Sequence, residues 1–135
     1  KNDNVFINDS KATTFEATRY ALSNSKNIYW ILGGLPKMND KILLSGIKKN
    51  IIKCYIIGKN TNFFKRQIQN QINFSITNNL KNTLVEILKE IKCSKIKNNI
   101  ILFSPAAASF DQYKNFEKRG DEFKKLSKLY ARKFI

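Results

Sequence analysis

Histidine is absent from the 135 residues and cysteine occurs only twice, at Cys54 and Cys93, so the usual Cys/His ligand sets of a zinc centre cannot be assembled. Cys54 lies in an apolar, strand-like run and reads as a small buried hydrophobe. No apolar run approaches the roughly 20 residues of a membrane span, and no N-terminal segment has the form of a signal peptide. A reducing, cytoplasmic setting without a membrane partner is therefore expected. Methionine occurs once, at Met38, and the first residue is Lys1, which suggests a piece of a longer polypeptide with a partial function. Neither G-x-G-x-x-G nor G-x-x-x-x-G-K-[ST] is present, which excludes both of those phosphate-cradling loops.

Acidic residues are also scarce, 10 against 25 Lys+Arg, leaving a formal net charge of +15. Such a charge raises nucleic acid or an anionic surface as a partner. Composition supplies a plainer cause, because the 21 lysines, 18 isoleucines and 17 asparagines share codons made almost wholly of A and T. Selection for phosphate binding would favour arginine, whose planar fork suits phosphate, yet arginine stands only at positions 19, 66, 119 and 132. The lysines are spread along the chain, so a solvated basic surface is favoured over a nucleic-acid groove and no specific nucleic-acid partner is expected.

The length fits one domain, 1–135. Short apolar, β-branched and aromatic runs recur at 5–7, 28–32, 54–57, 74–76 and 100–103, without alternation, and read as strands covered on both faces. Between them, Leu43, Leu44 and Ile47 define one helical stripe and Leu80, Leu84, Ile87, Leu88 and Ile91 a cleaner one. Residues 15–22 and 62–71 are further helix candidates, and a tail with Phe123, Leu126, Leu129 and Tyr130 on one face completes the set. This alternation predicts an α/β, Rossmann-like three-layer domain with a mostly parallel sheet of five or six strands. Asn78-Asn79 and Asn98-Asn99 mark turns.

In such sheets ligands bind beyond the carboxyl ends of the strands, and three unusual stretches fall there. After the first run comes Asn8-Asp9-Ser10-Lys11-Ala12-Thr13, continuing into Thr14-Phe15-Glu16 with the capping-box spacing of a hydroxyl followed three positions later by Glu. Thr13 reads equally as a helix cap or as part of an anion site at a helix N-terminus beside Lys11. After the second run, Gly33-Gly34-Leu35-Pro36-Lys37 lets the backbone turn tightly and project a charge. After the fifth, Ser104-Pro105-Ala106-Ala107-Ala108-Ser109-Phe110-Asp111 brings small residues to a strand end, with Ser109 or Asp111 as candidate caps of the next helix. It reads as a tight connection or as a place of close ligand approach.

Taken together, Asn8 to Thr13, Leu32-Gly33-Gly34 with Lys37 and Asp40, and Leu102-Phe103-Ser104-Pro105 leading through Ala108-Ser109-Phe110-Asp111-Gln112-Tyr113 to Phe116, Arg119 and Gly120 resemble, in order and spacing, the C-terminal domain of the MurD-type members of the Mur ligase family. The family usually has Asn where this chain has Thr14, and Gly where it has Met38.

The resemblance implies a three-domain, ATP-dependent ligase that adds D-glutamate to UDP-N-acetylmuramoyl-L-alanine in peptidoglycan biosynthesis. The UDP-binding domain and the central domain that binds ATP and Mg2+ would lie outside this chain. It implies that Lys37 pairs with a D-glutamate carboxylate, that Thr13, Ser109 and Phe116, with backbone near Phe110, frame the same anion, and that Asp9 and Lys11 face the nucleotide. No catalytic residue, metal ligand or cofactor of the chain's own is expected, and a monomer is. The competing class is a free-standing basic α/β module for nucleic acid or nucleotides, which exposed aromatics interleaved with lysine would favour.

Overall fold

The computed structural model describes residues 4–37, 39–109 and 113–134. Among these, strands β1 (Val5–Asn8), β2 (Ile28–Gly33), β3 (Ile51–Ile57), β4 (Phe74–Asn78) and β5 (Ile100–Phe103) are interspersed with helices α1 (Phe15–Ser23), α2 (Thr61–Ile68), α3 (Leu80–Cys93) and α4 (Phe116–Phe134). The strands form one sheet in the order β1-β5-β2-β3-β4, and every pairing is parallel. The expected α/β architecture is thus present, with five strands.

The strand residues divide by parity between two cores, because successive side chains of a strand point to opposite faces. Ile28, Trp30, Leu32, Cys54, Ile56 and Leu102 pack with Phe15 and Leu22 of α1 and Phe64 and Ile68 of α2. Tyr29, Ile31, Tyr55, Ile57, Ile101 and Phe103 pack with Leu80, Leu84 and Ile87 of α3 and Phe123 of α4. Two helices therefore cover each face, giving three layers. Full burial of a Leu, Ile or Phe side chain stabilises by about 1.5–3 kcal/mol, so these two clusters supply the main driving force. Complete covering holds for β2 but not for the edges: Val5 on β1 and Ile76 on β4 are 48% and 42% exposed. The turn asparagines behave as their chemistry suggests, with Asn78 and Asn98 at positive φ and Asn79 capping α3 through its side chain.

The helix expected around Leu43, Leu44 and Ile47 does not form. Ile42 and Leu44 are buried while Leu43 is 62% exposed, the period of two of an extended segment. Two glutamines satisfy its backbone in place of a neighbouring strand. The Gln67 amide accepts from Ile42 N–H at 3.1 Å and donates to Asp40 O at 3.1 Å. The Gln71 amide accepts from Leu44 N–H at 2.9 Å and donates to Ile42 O at 2.8 Å. Arg19 of α1 secures the same stretch by donating to Leu43 O and Ser45 O. These partners come from distant parts of the chain, so no local spacing announces them.

At the amino ends of the strands, Lys53 forms ion pairs with Glu90 at 2.9 Å and Glu86 at 3.4 Å, and the Tyr55 hydroxyl donates to Glu90. Burial, followed by the Glu90 carboxylate, pushes the Tyr55 phenol far above its ordinary range, and burial also raises Tyr29 and the Cys54 thiol. For Lys53, desolvation pulls downward but is outweighed by its bond and attraction to Glu90 and Glu86, so its pKa also rises. All four groups hold their protons more tightly folded than unfolded. Their contribution is complete below the lowest unfolded value, 9.0 for Cys54, and is lost as pH climbs through 10.0 and 10.5 towards the folded values. The urea midpoint should therefore fall between about pH 9 and about pH 11, and Tyr55→Phe should lessen the fall. An unchanged midpoint across that window would contradict this account.

Candidate functional site

Because all strands run parallel, the loops after β1, β5 and β2 emerge at one edge of the sheet, and the strand order makes them neighbours. Here L1 denotes the loop after β1, with Asp9, Lys11 and Thr13. L2 follows β2 with Lys37 and Asp40, and L3 follows β5 from Ser104 to Ser109.

Each pair of loops is tied. L1 and L3 are joined by Asp9 N–H donating to Phe103 O at 2.7 Å and by the Ser104 hydroxyl donating to Asp9 Oδ2 at 2.7 Å. L2 and L3 are joined by an antiparallel bridge in which Leu35 and Ala108 exchange backbone bonds of 2.7 and 2.9 Å, while Gly33 N–H donates to Pro105 O at 3.0 Å. L1 and L2 are joined where Phe15 N–H, the first amide of α1, donates to Asp40 Oδ2 at 2.9 Å. The three loops form a closed triangle rather than three independent tips.

Arg119 of α4 adds a second tie between L1 and L3. It is 1% exposed. Its Nε and Nη2 donate to Ser10 Oγ and Ser10 O at 2.9 and 2.6 Å, and its Nη1 donates to Ala107 O at 2.9 Å, with the guanidinium 5.7 Å from the Phe103 ring centroid. Ser10 Oγ in turn donates to Phe116 O at 2.7 Å. The following Gly120 sits where a Cβ would stand 2.9 Å from the Asn8 amide, which explains the small residue after the arginine.

The sequence-based cap of α1 needs correction. The cap is Thr14, whose hydroxyl accepts from Ala17 N–H at 3.3 Å, and not Thr13. With Phe15 N–H taken by Asp40, this helix terminus already holds an anion of the chain's own. Thr13 is left partly exposed beside it. For α4, Asn115 provides the cap by accepting from Lys118 N–H at 2.9 Å, in place of Ser109, whose carbonyl bonds Tyr113 N–H. Asp111, the alternative cap, and Phe110, expected to frame the anion, lie outside the described residues.

The remaining expected residues occupy the same edge. Asp9 and Lys11 line a cleft of about 630 Å³ between β1 and α1, whose apolar wall includes Ile7, Ala17 and Leu102. Lys11 also lines a cleft of about 230 Å³ together with Phe116, which is 40% exposed. Ser109 is buried next to the Leu35–Ala108 bridge, and Lys37 is exposed on L2. The collection offers two ammonium groups, hydroxyls and a carboxylate at one rim, a set able to orient a ligand that carries carboxylates. Among the described residues no group of three or more Cys, Asp or Glu side chains could hold a metal ion, and no helix is long and apolar enough to cross a membrane.

The curated UDP-N-acetylmuramoylalanine--D-glutamate ligase of Agrobacterium fabrum (strain C58 / ATCC 33970) is 41% identical over 119 residues, 88% of this chain and 25% of that protein. Those of Bradyrhizobium diazoefficiens and Rhizobium meliloti (strain 1021) are 38% identical over 122 residues and 40% over 123, covering 90% and 91% of this chain and 26% and 27% of theirs. The chain is homologous to part of these ligases. It spans about a quarter of the length of the curated ligases it matches. No family model matches it.

Against that relationship to the ligases, reading by sequence alone missed three contributors. Arg119 and Asp40 were visible as letters of a motif, but nothing local marks one as a buried tie and the other as the acceptor for the first amide of α1. Ser104 also binds Thr18 at 2.9 Å and, through its carbonyl, the Trp30 indole at 2.8 Å, which fixes Asp9 from behind.

Proposed function

We propose that the chain is the C-terminal, D-glutamate-binding domain, 1–135, of a cytoplasmic, monomeric UDP-N-acetylmuramoyl-L-alanine:D-glutamate ligase. The observation that carries the reading is the closed triangle of L1, L2 and L3, which gathers Thr13, Lys37 and Ser109 at one sheet edge in a chain homologous to such ligases. In this reading Lys37 pairs with a carboxylate of D-glutamate, and Thr13, Ser109 and Phe116, with backbone near Phe110, frame it. Charge-assisted bonds of this kind hold a carboxylate at fixed geometry. Phosphoryl transfer from ATP would turn the carboxylate of UDP-N-acetylmuramoyl-L-alanine into an acyl phosphate, and the substrate amine then attacks its carbonyl carbon, forming the amide bond and releasing phosphate. Asp9 and Lys11 turn towards ATP. ATP, Mg2+ and the UDP group are held mainly by parts of the ligase outside this chain.

The test compares the 135-residue chain with the whole ligase that carries it. Given ATP, Mg2+, UDP-N-acetylmuramoyl-L-alanine and labelled D-glutamate, the whole ligase should form labelled product, and the chain alone should release no phosphate above background. Turnover by the chain alone, or a whole enzyme that leaves D-glutamate untouched, would overturn the reading.

A further inference from the structure

We infer that Arg119 is a positioning residue, whose buried guanidinium sets L1 and L3 at the one separation in which their donors can share a substrate carboxylate. The inference rests on the D-glutamate reading above and deepens it by naming the residue on which the site's geometry depends.

The geometry is specific to arginine. Three of its acceptors, Ser10 O, Ser10 Oγ and Ala107 O, belong to two different loops and lie around different sides of one planar group. A planar fork can serve several fixed acceptors at once, whereas a lysine ammonium is a point charge on a flexible stem. Ser10 lies between Asp9 and Lys11 and three residues before Thr13, and Ala107 lies two residues before Ser109. Fixing Ser10 and Ala107 therefore fixes the bases of both arms. L2 meets the same group, because a Cβ on Gly34 would stand 3.2 Å from Arg119 Nη1. Ser10 Oγ relays the tie to Phe116 O, so the aromatic wall expected beside the substrate is set by the same guanidinium. Burying a cation is costly unless its donors are satisfied, and an apolar side chain of similar volume would fill the space at less cost. What the guanidinium adds over such a side chain is the fixed direction of its bonds to the two loops.

The experiment uses the whole ligase. Arg119→Lys keeps the charge and loses the fork, so the KM for D-glutamate should rise about tenfold or more, while the KM for UDP-N-acetylmuramoyl-L-alanine changes by less than about twofold. Leu22→Ala, which opens the core at the far end of α1, serves as a stability control. It should lower the unfolding midpoint while leaving the D-glutamate KM within about twofold. Should Arg119→Lys fail to fold, Ser10→Ala removes only the hydroxyl between Arg119 Nε and Phe116 O, with an expected rise of about threefold in the same KM. A D-glutamate KM unchanged in the folded Arg119 or Ser10 variant overturns the positioning role while the D-glutamate reading stands. A control whose KM moves as far as that of Arg119→Lys shows a stability effect only and overturns it as well. A parent enzyme that does not use D-glutamate overturns the reading itself.

Discussion

Gly34→Ala should remove a large part of the chain's stability, whereas Gly46→Ala should remove little. Both glycines stand at positive φ, +138° and +83°, so a side chain at either position is strained, by about 1–3 kcal/mol. They differ in what a Cβ would meet. At Gly46 nothing lies within 4 Å. At Gly34 the Cβ would fall 2.3 Å from Ala108 O, 3.2 Å from Arg119 Nη1 and 3.3 Å from the Ala107 Cβ. The first of these is a backbone oxygen already engaged by Leu35 N–H at 2.7 Å, so relief requires opening the bridge between L2 and L3. Overpacking of that kind adds about 1–3 kcal/mol. The total of about 2–6 kcal/mol compares with the 5–15 kcal/mol that holds a typical domain folded. Urea unfolding of the two variants measures the difference directly. Equal losses would show that the conformational strain, and not the loop contact, sets the cost.

The layered sheet was legible in the sequence because burial on both faces leaves short continuous apolar runs, and all five runs became strands. Their edges at Val5 and Ile76 were less legible, since exposure at a sheet edge depends on strand order, which no run reveals. The same limit explains the segment around Leu43. A spacing of Leu43, Leu44 and Ile47 fits a helix, but the deciding partners are Gln67, Gln71 and Arg19, more than 20 residues away. At the rim, residue types read L1 as a helix cap or an anion site, L2 as a turn projecting a charge and L3 as a tight connection or a place of close ligand approach, and the parallel sheet put those loops together as open α/β sheets do. What holds them together was not readable. Asp40 as the acceptor for the first amide of α1 and Arg119 as a tie to Ser10 span 25 and 109 positions, and they emerge only once the chain is folded.

Lys37→Ala in the whole ligase should raise the KM for D-glutamate by a large factor while affecting the free chain little. In the free chain Lys37 is exposed on L2, and exposed ion pairs are worth only about 0–1 kcal/mol because water competes for both partners. A substrate enclosed between this rim and the rest of a ligase loses that water. Removing the cation then leaves a carboxylate without its partner, at a cost of about 2–5 kcal/mol, or a rise in KM of about 30-fold to several thousand-fold. Ser109→Ala should cost less, about 1–3 kcal/mol, because one donor is lost from a group still held by others. Binding of D-glutamate to the 135-residue chain alone, measured by calorimetry, should be weak and should change by no more than about 1 kcal/mol in Lys37→Ala. The contrast between the two settings is the informative quantity, since it separates a lysine that acts on enclosure from one that is merely solvated. Equal, small effects of Lys37→Ala in the chain and in the whole enzyme would assign the lysine to the solvated surface and leave the carboxylate to Thr13 and Ser109.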